Sequence, residues 1–163
     1  MQTISRSIPD EAATLAVGEA IGRVLSAQPA AALQLQVHLI GDLGAGKTTL
    51  VRGVLRGLGY DGRVKSPTYP LLETYQVGEV MVAHFDLYRL ESPEAFTEAG
   101  FEDYFVGPGV RFVEWPDRAE GAETRLPTPD WQLMLTETPA GGRQMTIQPM
   151  TAAGVMLLSK VVL

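Results

Sequence analysis

The chain of 163 residues is 45% hydrophobic and 20% charged, which excludes a disordered or fibrous protein and is long enough to bury one core. Its net charge of −6, with 13 basic residues, argues against a protein that holds nucleic acid mainly through phosphate contacts. The sequence has no cysteine, which excludes disulfides, cysteine zinc sites and a thiol nucleophile. Its apolar stretches are too short for a membrane span and no signal-peptide pattern is present, so we expect one cytoplasmic domain over residues 1–163, with no membrane partner.

A local basic patch could still bind nucleic acid despite the negative net charge. It would comprise Arg52, Arg56, Arg63 and Lys65. A solvated helix face and loop is the preferred interpretation of these residues.

The first predicted element is a helix over residues 7–26. Ser7 and Asp10 match the S-x-x-D start signal, Pro9 fits a first turn, and apolar residues recur at helical spacing. A strand over residues 33–40 follows, because apolar and polar residues alternate there. A second helical stripe ends at Gly59 and comprises Leu50, Val51, Val54, Leu55 and Leu58.

The remaining predicted elements are shorter. They are a loop and short strand over 64–75, a strand over 79–87, a helix over 93–100, strands over 110–115, 131–137 and 144–148, and a terminal helix over 151–162. Because strands and helices alternate, we predict a three-layer α/β fold with flanking helices. Its sheet is expected to be mostly parallel, with an antiparallel portion late in the chain.

A glycine-rich loop between the predicted strand and the second helix fits the pattern G-x-x-x-x-G-K-[ST]. It comprises Gly41, Asp42, Leu43, Gly44, Ala45, Gly46, Lys47 and Thr48, and Thr49 continues it into the helix. Glycines let backbone N–H groups surround phosphate oxygens, and the following helix directs its N-terminal dipole at the same anion. Lys47 adds charge for the β- and γ-phosphates, and the Thr48 hydroxyl is a Mg²⁺ ligand. The loop predicts a nucleotide site and makes the expected fold P-loop NTPase-like.

Two predicted strands end in carboxylates. Glu114 ends "VRFVE" and Asp86 ends "VAHFD". A P-loop requires a neighbouring carboxylate for Mg²⁺, and ligands bind at the carboxyl ends of parallel strands. Position alone does not decide which of the two contacts the metal.

The segment Lys65-Ser66-Pro67-Thr68-Tyr69 occupies the interval in which P-loop proteins often carry a switch loop that senses the γ-phosphate. A proline-shaped turn is an equally good interpretation. His38 is interpreted as an ordinary strand residue. His84 shares a strand face with Asp86, and a supporting role at the metal is the less favoured interpretation of it.

With these residues assembled, the sequence closely resembles the bacterial TsaE family, also called YjeE. The matching segments are "GDLGAGKTTLVRG", "VKSPTYPLLETY", "HFDLYRL", "GFEDYF", "VEWP" and a late "GGR", in family order from about Asp10 to Arg143. Departures are Pro70, where the family usually has threonine, and Ala95, where an acid is common. The last twenty residues match nothing distinctive.

The resemblance implies an ATPase that supports threonylcarbamoyl (t6A) modification of adenosine in tRNAs reading ANN codons. It implies ATP and Mg²⁺ as cofactors, and the proteins TsaB and TsaD as partners that hold most of the tRNA. It makes Thr48 and Glu114 the Mg²⁺ ligands and Asp86 a residue needed for hydrolysis. It places Glu11 and Arg143 at the nucleotide, and we count Lys47 and Thr68 with Asp86 as catalytic.

Two other functions compete with this one. A small-molecule kinase shares the P-loop but usually carries an arginine-bearing lid, and no arginine cluster follows residue 90, where Arg111, Arg118 and Arg125 are spread out. A regulatory GTPase typically carries [NT]-K-x-D, which this sequence lacks.

Overall fold

The computed structural model describes residues 2–68 and 71–163. Its seven strands are β1 (Ile4–Ile8), β2 (Gln34–Ile40), β3 (Leu72–Val77), β4 (Val80–Asp86), β5 (Gly109–Glu114), β6 (Trp131–Glu137) and β7 (Arg143–Pro149). Its four α-helices are α1 (Glu11–Ser26), α2 (Lys47–Leu58), α3 (Pro93–Glu98) and α4 (Ala152–Leu158). Short 3₁₀ segments cover Ala30–Ala32, Phe101–Phe105 and Pro116–Ala119.

All seven strands form one sheet in the order β1-β7-β6-β2-β5-β4-β3. The centre is parallel, since β2 pairs with both β5 and β6, and β4 pairs with β5. Antiparallel pairs form both edges, namely β1–β7–β6 on one side and β3–β4 on the other. The expected α/β fold is therefore confirmed, with a second antiparallel edge that the sequence did not indicate. The parallel centre brings the carboxyl ends of β2, β4 and β5 to one edge, which positions the site.

Helices α1 and α2 pack together on one face of the sheet through glycine. A Cβ added at Gly18 would lie 2.5 Å from the Leu50 carbonyl oxygen and 2.8 Å from Gly53 Cα. Gly22 and Gly57 form the same kind of contact one turn further on. Because neither helix carries a side chain at the crossing, their backbones touch. This contact fixes the direction in which α2 leaves the glycine-rich loop.

The opposite face of the sheet is covered by α3 and by the 3₁₀ segments Phe101–Phe105 and Pro116–Ala119, and much of the packing is aromatic. Phe85 on β4 contacts Phe96 and Phe101 with ring centroids 6.0 and 5.3 Å apart, at separations typical of aromatic pairs. Arg111 is also buried here, and its guanidinium donates to backbone carbonyl oxygens, including those of Tyr104 at 2.6 Å and Gly107 at 2.7 Å. Arg111 therefore holds the loop before β5 and is not a lid residue.

The first predicted helix begins later than expected. Asp10 is the N-cap of α1 and its Oδ1 accepts from the Ala13 N–H at 2.8 Å, whereas Ser7 lies in β1. The start signal at Ser7 was wrong because residues 4–8 pair with β7, and this tertiary pairing overrides the local helix signal. The terminal helix, expected over 151–162, has Thr151 as its N-cap and ends at Leu158. Among the helices of residues 2–68 and 71–163, none has the length and hydropathy to cross a bilayer.

Candidate nucleotide site

The glycine-rich loop joins the end of β2 to the first turn of α2. Gly46 is the N-cap of α2 and has φ 103°, and Gly44 has φ 81°, conformations that residues with a side chain rarely adopt. At Gly41 an added Cβ would lie 2.6 Å from the Leu135 carbonyl oxygen of β6. The glycines of the motif are therefore required by the turn and by the adjacent strand.

This loop forms one wall of a cleft of about 450 Å³. The cleft lies at the carboxyl edge of the sheet, where the N-terminus of α2 opens into it, as in a phosphate site. It is lined by residues 8–11, Thr14, residues 43–49, Ser66, Asp86, Glu114 and residues 141–143.

Lys47 and Glu114 form a buried ion pair at the floor of this cleft. The Lys47 ammonium lies 3.4 Å from Glu114 Oε1 and donates to the Gly41 carbonyl oxygen at 2.5 Å, and both side chains are 5% exposed. The ammonium also lies 4.9 Å from the ring centroid of Trp115, in cation–π range. Trp115 has φ 55°, an uncommon conformation for a bulky residue. A buried charge needs compensating partners. The main partner of the Lys47 ammonium is the Glu114 carboxylate, which borders the open cleft.

His84 contacts the other oxygen of the same carboxylate. Its Nε2 lies 2.6 Å from Glu114 Oε2, and its ring is completely buried. Because a carboxylate has no proton to donate, His84 Nε2 is assigned as the donor. The sequence had favoured a purely structural role for His84. The spacing H-x-D had placed His84 on the same face of β4 as Asp86, but the contact with Glu114 across the β4–β5 pair could not be predicted from that spacing.

Asp86 lies beside Glu114 because β4 and β5 pair in parallel with these two residues in register. Burial, reinforced by the Glu114 charge, raises the pKa of Asp86, while the Tyr88 N–H that donates to its Oδ1 at 3.1 Å opposes the shift. The ends of β4 and β5 thus bring two carboxylates to one cleft.

The carboxylate and hydroxyl oxygens that line the cleft are of the kind that bind Mg²⁺. Mg²⁺ binds through one or two carboxylates together with phosphate oxygens and water, so it needs no complete protein cage. Glu114 and Asp86 supply carboxylates to the cleft, and Thr48 Oγ1, which also lines it, shares a hydrogen bond of 2.6 Å with Ser66 Oγ. In the part of the chain that the structure describes, no cluster of three or more acidic, histidine or cysteine side chains forms a ready-made metal cage.

The outer rim of the cleft comes from distant parts of the chain. Arg143 at the start of β7 donates to the carbonyl oxygens of Gly44 at 3.1 Å and Ala45 at 3.2 Å. Glu11 in the first turn of α1 accepts from the Thr49 hydroxyl at 3.3 Å, and its side chain is 75% exposed. Both residues line the cleft, and Arg143 also braces the loop.

Three of the predicted site residues do not line this cleft. Gly41 and Asp42 line a second cavity of about 670 Å³, although the Gly41 carbonyl oxygen holds Lys47. Thr68 is exposed, and among the described residues 65–68 it is Ser66 that lines the cleft. The predicted switch segment extends to Tyr69, and Tyr69 and Pro70 lie outside the described residues. The sequence indicated Pro9 and Asp10 only as a helix start and did not indicate Ile8 or Thr14, although all four line the cleft. The β1–β7 pairing places Ile8 beside Arg143 there.

The fold and this cleft define a protein of the P-loop NTPase-like class. A family model described as "Threonylcarbamoyl adenosine biosynthesis protein TsaE" matches residues 8–145. The chain is 43% identical over 121 residues to a TsaE protein of Haemophilus influenzae, covering 74% of this chain and 76% of the relative. It is 35% identical to a TsaE protein of Treponema pallidum, covering 90% and 99%. The crystal structure of Bacillus subtilis YdiB matches with a TM-score of 0.75 and 25% identity, over 98% of this chain and 94% of that one. The chain therefore belongs to the TsaE family.

Proposed function

We propose that this protein is a Mg²⁺-dependent ATPase that supports t6A formation in tRNAs reading ANN codons, together with TsaB and TsaD in the cytoplasm. Family membership supports the pathway. One observation supports the chemistry: the buried Lys47–Glu114 pair lies at the floor of a cleft formed by a P-loop. Such a pair places a cation for phosphates beside a carboxylate for the metal.

The charges of the cleft suit a nucleoside triphosphate with its metal. The N-terminus of α2 and Lys47 favour phosphate oxygens, whereas Glu114 and Asp86 would repel them unless a cation lies between. A bound Mg²⁺, held by Thr48 and Glu114, would supply that positive charge. Asp86 is then the residue proposed to position the attacking water.

We expect the isolated protein to hydrolyse ATP slowly, because no arginine is free to act in the cleft that the described residues form. Among the described residues that line the cleft, Arg143 is the one arginine, and its guanidinium donates to carbonyl oxygens of the glycine-rich loop. A missing arginine finger or an unordered switch loop costs roughly 10³–10⁵ in the rate of P-loop hydrolysis. We therefore propose that TsaB and TsaD complete the site, and that they hold most of the tRNA, in keeping with the net charge of −6.

The test compares ATP turnover of the purified protein with turnover after addition of the TsaB–TsaD complex. Parallel reactions measure t6A formation on an ANN-reading tRNA, with and without this protein. We expect faster turnover in the mixture and t6A formation that depends on this chain. The Lys47→Ala variant controls for contaminating ATPases, because it should support neither activity.

Equal turnover with and without TsaB–TsaD, and no complex formed in the presence of ATP, would reject the partnership. Phosphate transfer from ATP to a metabolite, without release of inorganic phosphate, would instead favour a small-molecule kinase. ATP binding that GTP displaces at lower concentration than ATP itself would favour a guanine-nucleotide switch.

A further inference from the structure

The carboxylate of Glu114 is held by two different partners, one on each oxygen. Oε1 faces the Lys47 ammonium at 3.4 Å, and Oε2 accepts from His84 Nε2 at 2.6 Å. We propose that His84 is a positioning residue that keeps Glu114 oriented for Mg²⁺. This inference rests on the proposed Mg²⁺-ATP site.

The two partners differ in what happens to them when a nucleotide binds. Lys47 is the cation of the P-loop, so phosphate oxygens compete with Glu114 for its ammonium. His84 has no such competitor, because its ring is completely buried and does not line the cleft. If a bound phosphate took the Lys47 ammonium, Oε1 of Glu114 would lose its partner and could hold Mg²⁺, while His84 would still hold Oε2.

The backbone makes His84 a rigid support. His84 and Glu114 lie on the adjacent parallel strands β4 and β5, where Phe112 is the register partner of His84 and Asp86 that of Glu114. A side chain on a central strand is held more firmly than one on a loop, because strand pairing fixes its backbone on both sides. His84 Nδ1 has no hydrogen-bond partner among residues 2–68 and 71–163, so the described contacts tie the ring polar atoms to Glu114 alone.

Residues that orient a metal-binding carboxylate typically change metal affinity about 10- to 100-fold when they are replaced. We therefore expect His84→Leu, which removes the donor, to raise the free Mg²⁺ concentration needed for binding a non-hydrolysable ATP analogue by ~10- to 100-fold. Affinity for the analogue in EDTA should be unchanged, because no metal is bound there. His84→Gln should retain most of the parental Mg²⁺ dependence, because its amide nitrogen reaches about as far as Nε2.

The experiment is calorimetric titration of the analogue at a series of free Mg²⁺ concentrations and in EDTA. His38→Leu is the matched control, because His38 is the other buried histidine and its Nε2 contacts the neutral Gln36 amide at 3.0 Å. It should leave the Mg²⁺ dependence unchanged. If His84→Leu does not fold, His84→Asn replaces it in the experiment. The amide of Asn is too short to reach Glu114, so His84→Asn should lose Mg²⁺ affinity as His84→Leu would. His84→Gln, whose longer amide reaches Glu114, should restore it.

A parental Mg²⁺ dependence in His84→Leu or His84→Asn would overturn the inference. So would an equal loss of affinity with Mg²⁺ and in EDTA, because a general packing defect acts on both. A parent protein whose analogue affinity does not depend on Mg²⁺ would instead refute the proposed function itself, and the inference with it.

Discussion

The two faces of the sheet bury polar groups in opposite ways. On the α1–α2 face, Lys47 and His84 each contact Glu114 beside a cleft. On the opposite face, Arg111 is satisfied by backbone carbonyl oxygens and His38 contacts a neutral amide. A buried charge that carbonyls satisfy serves the fold, because nothing can replace its partners. A buried charge that is paired with another charge beside a cleft can leave that partner and bind a charged ligand instead. Such a pair is typical of a functional site.

The largest expected effect is on the cleft face, at Asp86. We expect Asp86→Ala to slow ATP hydrolysis roughly 10²- to 10⁴-fold, the range for loss of a residue that positions or accepts a proton. Binding of the non-hydrolysable analogue should persist, because Lys47 and the loop remain. Phosphate release and calorimetry measure the two quantities, with the exposed Asp103→Ala as control. Hydrolysis at the parental rate would remove Asp86 from the proposed chemistry.

On the opposite face, the expected effect is on stability and concerns His38. Burial lowers the pKa of His38 from 6.5 to about 4, so protonation favours the unfolded state. Its contribution is complete above pH 6.5 and is lost as the pH falls towards 4, by about 2 kcal/mol at pH 5 and roughly 3 kcal/mol in total.

Chemical denaturation between pH 7.5 and 4.5 measures this loss. The control is His38→Gln, which keeps a polar side chain but cannot titrate, so its unfolding free energy should depend less on pH. Equal pH dependence in the parent and the variant would show that His38 is hydrated, and would weaken the contrast between the two faces.

Lys47→Ala tests the exchangeable pair directly. Hydrogen bonds to charged groups contribute about 1.5–3 kcal/mol, so ATP affinity should fall ~10- to 150-fold. Lys160→Ala is the matched control, because Lys160 is exposed and contacts Gln28 far from the cleft. Calorimetry that finds the same ATP affinity for both variants would contradict the assignment of Lys47 to phosphate.

The smallest effect is expected at the rim, at Glu11. Its side chain is 75% exposed and lies 3.7 Å from Arg52, and exposed ion pairs contribute about 0–1 kcal/mol. Glu11→Ala should therefore weaken ATP binding by no more than about fivefold. Calorimetry measures the ATP affinity of Glu11→Ala and of Lys47→Ala under the same conditions. A loss as large as that of Lys47→Ala would mean that the rim, and not the buried pair, holds the nucleotide.

The local half of the site could be predicted from the sequence. The glycine-rich loop, its helix and the Gly59 stop are specified within a short run of residues, because backbone conformation and capping depend on near neighbours. The ends of β4 and β5 were also recognisable, since each apolar run finishes in an acid. These signals indicated both carboxylates, although not their distance from Lys47.

The tertiary structure decided the rest. Strand order places His84 against Glu114, and the β1–β7 pairing delivers Arg143 to the glycine-rich loop and turned a predicted helix start at Ser7 into a strand. Strand order and edge pairing depend on packing across the whole chain, which no local pattern records. The sequence by itself thus determined the groups of the cleft that suit phosphate, namely the glycine-rich loop and Lys47. The fold determined which buried side chains hold the groups of the cleft in place.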